Sequence, residues 1–402
     1  MTTTQDTFAE EARRWLRENL TGRFAALKGK GGPGSEHEFF AERLAWDRHL
    51  AGAGWTCLGW PVEHGGRGVT MARQVAFHQE YARAEAPARV SHVGEELLGP
   101  TLIAFGTEEQ RRRFLPGIRS VTELWAQGYS EPGAGSDLAN VSTTARLDGD
   151  RWVINGQKVW TSLAHVAQWA FVLCRTEPGS QRHHGLSFLL VPLDQPGVTV
   201  RPIQQLTGTS EFNEVFFDDA ETEAELVVGE LGAGWTVAMG LLQFERGVST
   251  LGQQVGFARQ LDGIVEIAKA NGSAQNPVIR ERLTRAWLEL AVLRAHAVRT
   301  LASVDTAGSG GEASAAKLLW ANWHRGLGEL AMQVQGASSL IGPDTTSEGE
   351  PNNISDPEHV ELDEWQRLFL FTRADTIYGG SNEIQRNIIA ERVLGLPREA
   401  RP

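Results

Sequence analysis

Asp148-Gly-Asp-Arg-Trp-Val-Ile-Asn-Gly156 is the stretch on which the reading of the fold turns. Apolar Trp152-Val153-Ile154 lies between Asp148-Gly149 and Asn155-Gly156, turn dipeptides that supply the positive φ of tight β-turns, so Asn155-Gly156 predicts a hairpin. Working outward, Trp169–Cys174, Leu186–Val191, Val198–Ile203 and Val215–Phe217 continue as apolar runs between turn residues, and a β region is predicted from about Trp125 to about Gly232. Both flanks have a different period. Phe8, Ala12, Trp15, Leu16 and Leu20 recur at three- and four-residue spacing behind a cap at Asp6 or Thr7. Thr107-Glu-Glu-Gln110 has the form of a capping box that opens a helix toward Phe114-Leu115-Pro116. Beyond Gly234 helical patterns return, to about Asn271, over Asn276–Asp305 and Ser314–Gly336, and in a last pair around Tyr378 and Asn382, with Gly308–Gly311 and Gly342–Asp356 as loops.

The order helical, β, helical makes an α+β multidomain chain, with boundaries at 1–124, 125–232 and 233–402. It excludes a doubly wound nucleotide fold, which alternates strands and helices throughout, and neither a G-x-G-x-x-G nor a P-loop sequence is present. At 402 residues each part can bury a core without staples. The net charge of −12 argues against a broad nucleic-acid footprint. Cys57 and Cys174 match neither a disulfide framework nor a metal spacing, which points to a reducing compartment. The Met1–Glu10 start is polar, and no apolar run reaches the roughly 18 residues of a membrane span, so no membrane is expected and the cytoplasm is the expected location. His183-His184, in a polar turn without acidic or Cys companions at helical spacing, reads as solvated surface, and no metal is expected.

Three segments carry the chemistry. Gly128-Tyr-Ser-Glu-Pro-Gly-Ala-Gly-Ser136-Asp137 stands where helix gives way to strand; small residues there let backbone approach a flat or anionic ligand, although such loops are common. Lys158-Val-Trp160-Thr161-Ser162 follows the Asn155-Gly156 turn, and Ile377-Tyr-Gly-Gly-Ser-Asn-Glu-Ile-Gln-Arg386 opens the final helix.

In this order and layout the three segments resemble the acyl-CoA dehydrogenase family, and the resemblance runs nearly end to end. It implies an N-terminal α-helical domain, a β-barrel-like middle domain and a C-terminal four-helix bundle, with FAD between the last two. Matched motif to motif, it places Gln127, Tyr129 and Ser130 along the flavin pyrimidine, Ser136 toward CoA, Trp160 over the isoalloxazine edge and Ser162 near N5. Fixed donors beside N1 and O2 would stabilise the charge of reduced flavin without reorganisation. A Trp in a strand is usually core, so Trp160 carries this role through the resemblance alone. Gln333, in Gln333-Val-Gln-Gly336, and Ser381 with Glu383 match positions that hold the adenosine diphosphate, and the Gly379-Gly380-Ser381-Asn382 turn leads into a helix N-terminus that suits an anion.

The base departs from the commoner family pattern. Where many relatives carry a catalytic Glu, this chain reads Tyr378-Gly379-Gly380, while Phe244-Glu245-Arg246-Gly247 matches the smaller branch that keeps its Glu on the first long helix of the C-terminal domain. A Glu-Arg pair on a helix is ordinarily solvated surface; beside an empty Gly379 it points to Glu245 as the base. The resemblance then implies α-proton removal by Glu245, a thioester carbonyl held by a ribityl hydroxyl and a backbone N–H at the Gly379-Gly380 turn, hydride transfer from Cβ to flavin N5, and Arg246 on CoA. Substrate binding thus falls to Ser136, Arg246 and Gly380, and an electron-transfer flavoprotein is the implied acceptor. Homotetrameric relatives reach a neighbour's FAD through Arg-x-x-Phe-Gly; here Ala268–Pro277 has neither Arg nor Phe, which points to a homo-oligomer with a substitute residue or to a heteromer with a related subunit. The competing readings are an oxygen-using flavoenzyme on this fold and a non-catalytic subunit.

Overall fold

The computed structural model describes residues 4–245, 248–303, 310–342 and 362–398. The chain splits into two compact units, one of Met1–Phe77, Ala84–Gln205 and Thr209–Gly247, the other of His78–Arg83, Leu206–Gly208 and Val248–Pro402.

The first unit begins with helices α1 (Thr4–Asn19), α2 (Phe40–Gly52), α3 (Met71–Arg83, whose end belongs to the second unit), α4 (Gly99–Phe105) and α5 (Glu108–Arg119). The α1 stripe of Phe8, Ala12, Leu16 and Leu20 is buried, as its spacing requires, and Trp15 lies against Trp46 and His49 of α2. α1 already runs from Thr4, so Asp6 and Thr7 lie inside the helix rather than before it. The capping box of α5 is formed, with Thr107 and Gln110 exchanging side-chain and backbone hydrogen bonds.

Eight strands follow: β1 (Trp125–Gly128), β2 (Thr144–Asp148), β3 (Arg151–Ser162), β4 (Trp169–Arg175), β5 (Leu186–Pro192), β6 (Val198–Ile203), β7 (Phe212–Glu223) and β8 (Val227–Val228). They form one sheet in the order β6-β7-β3-β2-β4-β5-β8, with β1 parallel to β4. The sheet curls toward a barrel, since Thr222 of β7 donates to the Leu190 carbonyl of β5, a strand it does not pair with. Helix α6 (Gly234–Glu245) packs on β5, where a Cβ at Gly234 would fall 2.5 Å from the Ser187 backbone. Phe171, Leu173, Phe188 and Leu190 face one core shared with α6, whereas Val172, Cys174, Leu189 and Val191 face another inside the curl. β4 and β5 are therefore buried on both faces, which explains their unbroken apolar sequence.

The hairpin expected at Asn155-Gly156 is not there. Gly149 and Asp150 make the turn, because Asp148 pairs with Arg151, and β3 runs straight through Asn155 and Gly156. Both residues serve a bulge instead. Between the pairs Ile154–Ala220 and Gly156–Phe217 strand β7 carries one extra residue, Asp219 has φ +53°, and Asn155 is bonded to it twice, through Nδ2 to Oδ1 at 2.8 Å and from its N–H to Oδ1 of Asn155 at 3.0 Å. Gly156 is required by close approach, as a Cβ there would lie 2.7 Å from Cα of Thr143.

The second unit contains α7 (Val248–Ala270), α8 (Pro277–Ser303), α9 (Gly310–Gln335), α10 (Glu364–Phe371) and α11 (Asn382–Ile388). The three long helices and α10 share one core, built from Leu261, Ile264, Leu290, Leu293, Leu327, Leu330 and Leu368 among others. Tyr378 is not helical; it lies in the turns between α10 and α11. The Gly342–Asp356 loop falls, beyond Gly342, outside the described residues. Among the described residues no helix is long and apolar enough to cross a membrane.

Candidate functional site

A second bulge creates the most unusual surface of the first unit. Up to Lys158, the even-numbered residues of β3 (Trp152, Ile154, Lys158) point into the core. Between the pairs Lys158–Val215 and Thr161–Asn213, β3 holds one residue more than β7, so the alternation slips and Thr161, an odd position, becomes buried. Trp160, which the unbroken alternation would have sent inward, is turned out and is 58% exposed. Its φ of +60° is rare for a bulky residue and marks local strain of the kind stored at functional sites. Phe212 meets it edge-on, at 6.2 Å between ring centroids.

The loop after β1 lies against this bulge, since the Val159 N–H donates to the Ser130 carbonyl at 2.9 Å. Ser130 and Ser162 are half-buried, and neither hydroxyl is bonded to another described residue. Gln127 is half-buried on β1, Tyr129 is buried edge-on against the stacked rings of Phe171 and Phe188, and Ser136 is exposed on the loop. The first unit thus brings Ser130, Trp160 and Ser162 together at the bulge, an exposed aromatic ring with two half-buried serines; this suits a flat heteroaromatic ring that has hydrogen-bonding edges, as an isoalloxazine has.

Beneath that surface lies a feature to which the sequence reading gave no role. Lys158, fully buried, donates to the Tyr129 carbonyl at 3.0 Å, the Leu173 carbonyl at 2.7 Å and Glu131 at 2.8 Å. Three acceptors match the three N–H bonds of an ammonium. Glu131 in turn accepts from the Ser142 N–H and hydroxyl and from the Thr143 N–H. Burial alone would raise the Glu131 carboxyl, but the charge and hydrogen bond of Lys158 outweigh it and, with the Thr143 and Ser142 donors, hold it at about 2. Burial also lowers Lys158 from the usual lysine value, against the pull of Glu131. A legible signal existed: the β3 alternation aims Lys158 inward, and a buried ammonium needs a partner.

In the second unit, Gly379 and Gly380 have φ of +62° and +85°, and Gln385 Nε2 donates to both of their carbonyls. Ser381 caps α11 by accepting from the Ile384 N–H, and exposed Glu383 is held below the usual carboxylate range by its own backbone N–H and by Ser381. The turn is anchored by Asp375, whose carboxylate takes Tyr378 Oη at 2.8 Å and His324 Nδ1 at 2.7 Å while its carbonyl takes Lys317 Nζ at 2.8 Å. Gln333 is exposed near the end of α9 and bonded to Arg282. It is not beside Ser381: α11 meets α9 through Asn382 and Asn322, eleven residues earlier on α9, or about 16 Å of helix. Glu245 ends α6; its side chain and Arg246 lie outside the described residues. Glu95 is bonded to Arg89 and to the Cys57 N–H, and its carboxyl is raised by burial. His183 and His184 are exposed, and no group of potential metal ligands occurs among the described residues.

Family models for the N-terminal, middle and C-terminal domains of acyl-CoA dehydrogenases match residues 2–122, 126–220 and 232–394. The chain belongs to the acyl-CoA dehydrogenase family. It is accordingly an oxidoreductase with acyl-CoA dehydrogenase activity. It is 66% identical over 394 residues to acyl-CoA dehydrogenase IpdE1 of Mycobacterium tuberculosis, covering 98% of both chains. Among solved structures, the Tcur3481-Tcur3483 steroid ACAD superposes with a TM-score of 0.83 at 30% identity, covering 99% of both chains. The ChsE4-ChsE5 complex of Mycobacterium tuberculosis superposes with a TM-score of 0.79 at 30% identity, covering 100% of this chain and 99% of that one.

Proposed function

We propose that this acyl-CoA dehydrogenase oxidises a steroid-derived acyl-CoA at its α and β carbons, with Glu245 as base and FAD as hydride acceptor. The observation that carries the base is the pair of positions: Gly379, with φ +62° in a tight turn, offers no carboxylate, while Glu245 stands at the end of α6. The residues assigned to FAD are Gln127, Tyr129, Ser130, Trp160 and Ser162 in the first unit and Gln333, Ser381 and Glu383 in the second; exposed Trp160 and the two uncommitted serine hydroxyls support that assignment. When bound, FAD accepts the β hydrogen as hydride.

The chain's own residues do the rest. Glu245 takes the α proton onto a carboxylate oxygen, and backbone N–H groups at the Gly379-Gly380 turn hold the thioester oxygen as its charge grows. Arg246 and Ser136 hold the CoA portion. The steroid class rests on the names of the solved relatives at 30% identity. The same relatives support a heteromer with a related dehydrogenase subunit, and an electron-transfer flavoprotein completes the cycle as acceptor. Glu245→Gln is expected to keep flavin and fold while turnover with a dye acceptor falls by about two to four orders of magnitude, the usual worth of a positioned base. Near-normal turnover in that variant would refute the assignment.

A further inference from the structure

The buried Lys158–Glu131 pair lies directly under the loop and bulge assigned to flavin, yet neither charge reaches that surface: Lys158 is fully buried and Glu131 is 5% exposed. An ion pair with no access to ligand could be a cross-link and nothing more. The placement of its hydrogen bonds says otherwise. Of the three acceptors of Lys158, one is the Tyr129 carbonyl, the first half of the Tyr129–Ser130 peptide. In a planar trans peptide the C=O and the following N–H point in opposite directions. Drawing the Tyr129 carbonyl inward therefore directs the Ser130 N–H outward, and no described residue accepts that N–H. Another acceptor, the Leu173 carbonyl on β4, ties the ammonium to the sheet at 2.7 Å.

We infer that Lys158 is a positioning residue, which orients the Tyr129–Ser130 peptide so that its N–H serves as a donor on the flavin-facing surface, while Glu131 keeps the ammonium charged and pins the far end of the loop at Ser142 and Thr143. The inference rests on the flavin assignment made above. It separates two consequences that a plain cross-link would join. Ligand affinity follows the Lys158 bond to Tyr129; stability follows the charge pair.

The test is FAD titration into the deflavinated full-length chain, followed by flavin fluorescence and by the shape of the visible flavin band, beside the melting temperature of the same protein without flavin. Glu131→Gln removes the counter-charge but leaves the Lys158 amine an N–H for the Tyr129 carbonyl, so it is expected to melt lower while binding FAD within about threefold of wild type. Lys158→Met with Glu131→Gln removes both charges and the carbonyl bond; it is expected to melt close to wild type while binding FAD at least about tenfold more weakly, with an altered band, which is the loss expected for one misdirected donor. An affinity that falls in step with melting temperature across the variants, or a double variant that binds like wild type, overturns the positioning role alone. A wild-type chain with no saturable FAD binding even when a related dehydrogenase subunit is present overturns the flavin assignment itself.

Discussion

Glu36→Gln should flatten the pH dependence of stability in the first unit. Glu36 lies in the segment before α2, where its carbonyl accepts from Arg43 Nη2 at 2.8 Å and its carboxyl is hydrogen-bonded to Glu211. Glu211 is buried and already committed: it accepts from Thr209 Oγ1 at 2.6 Å and from Gln205, and it lies 3.3 Å from Nδ1 of His37. The other titratable neighbour, His165, is lowered by burial. Burial first, and the Glu211 charge second, push Glu36 up to about 8. The folded state then keeps a proton that the unfolded chain releases near pH 4.3, so stability is full below that point and is lost as pH rises toward and through 8. Over the neutral range the slope is about 1.4 kcal/mol per pH unit, or about 2 kcal/mol between pH 6 and 8, which for a folded unit of about 150–250 residues corresponds to roughly 4–8 °C in melting temperature. Glutamine cannot titrate and keeps the donor that the protonated acid provides. Melting curves of both proteins from pH 4.5 to 9 should therefore lie closest at the acid end and diverge steadily until about pH 8, with the variant higher. Parallel curves would refute a shared proton at Glu36.

Two further outcomes follow from particular residues. Gly156→Ala should destabilise the first unit by about 1–3 kcal/mol, read as a lower denaturant midpoint, because φ is +151° and the new Cβ would meet Cα of Thr143 at 2.7 Å; a neutral result would mean that β3 shifts freely there. The chain expressed alone and dialysed should retain clearly less than one FAD per subunit, with occupancy restored by a related dehydrogenase subunit, since Ala268–Pro277 offers no Arg and Lys269 is tied to Glu266 at 2.7 Å. Stoichiometric FAD and full turnover from a homo-oligomer would count against the heteromer.

The helices and strands were legible where burial on one side, or on both, leaves a period in the sequence. Phe8, Ala12 and Leu16 announce α1, and the unbroken run of Leu186–Val191 announces a strand buried on two faces. Asn155-Gly156 misled because the same two residues that suit a tight turn also suit a bulge: Asn155 has an amide to brace a left-handed Asp219, and Gly156 leaves room for Thr143. Local composition cannot tell these apart, since the deciding partner lies on β7, more than sixty residues away in the sequence. The site residues of the second unit were legible as a string, but their spacing in the fold was not. Gln333 and Ser381 stand well apart along α9 because α11 docks near Asn322, a contact no motif records.

Trp160 shows how the two kinds of information combine. Its place in Lys158-Val-Trp160-Thr161-Ser162 suggested a ligand contact only by resemblance, and elementary alternation would have buried it beside Lys158. What moves it to the surface is one extra residue in β3 relative to β7, and that insertion is held from both ends: Lys158 is fixed by three oxygens before it, and the Thr161 carbonyl accepts from Asn213 Nδ2 at 3.0 Å after it. A strained φ at a bulky residue survives only if its neighbours over-determine it. The buried pair is therefore tied to the exposed ring by the geometry of a single strand. Replacing Trp160 should alter the ligand surface and little else, whereas removing Lys158 releases both the Tyr129–Ser130 peptide and one anchor of the bulge that presents Trp160.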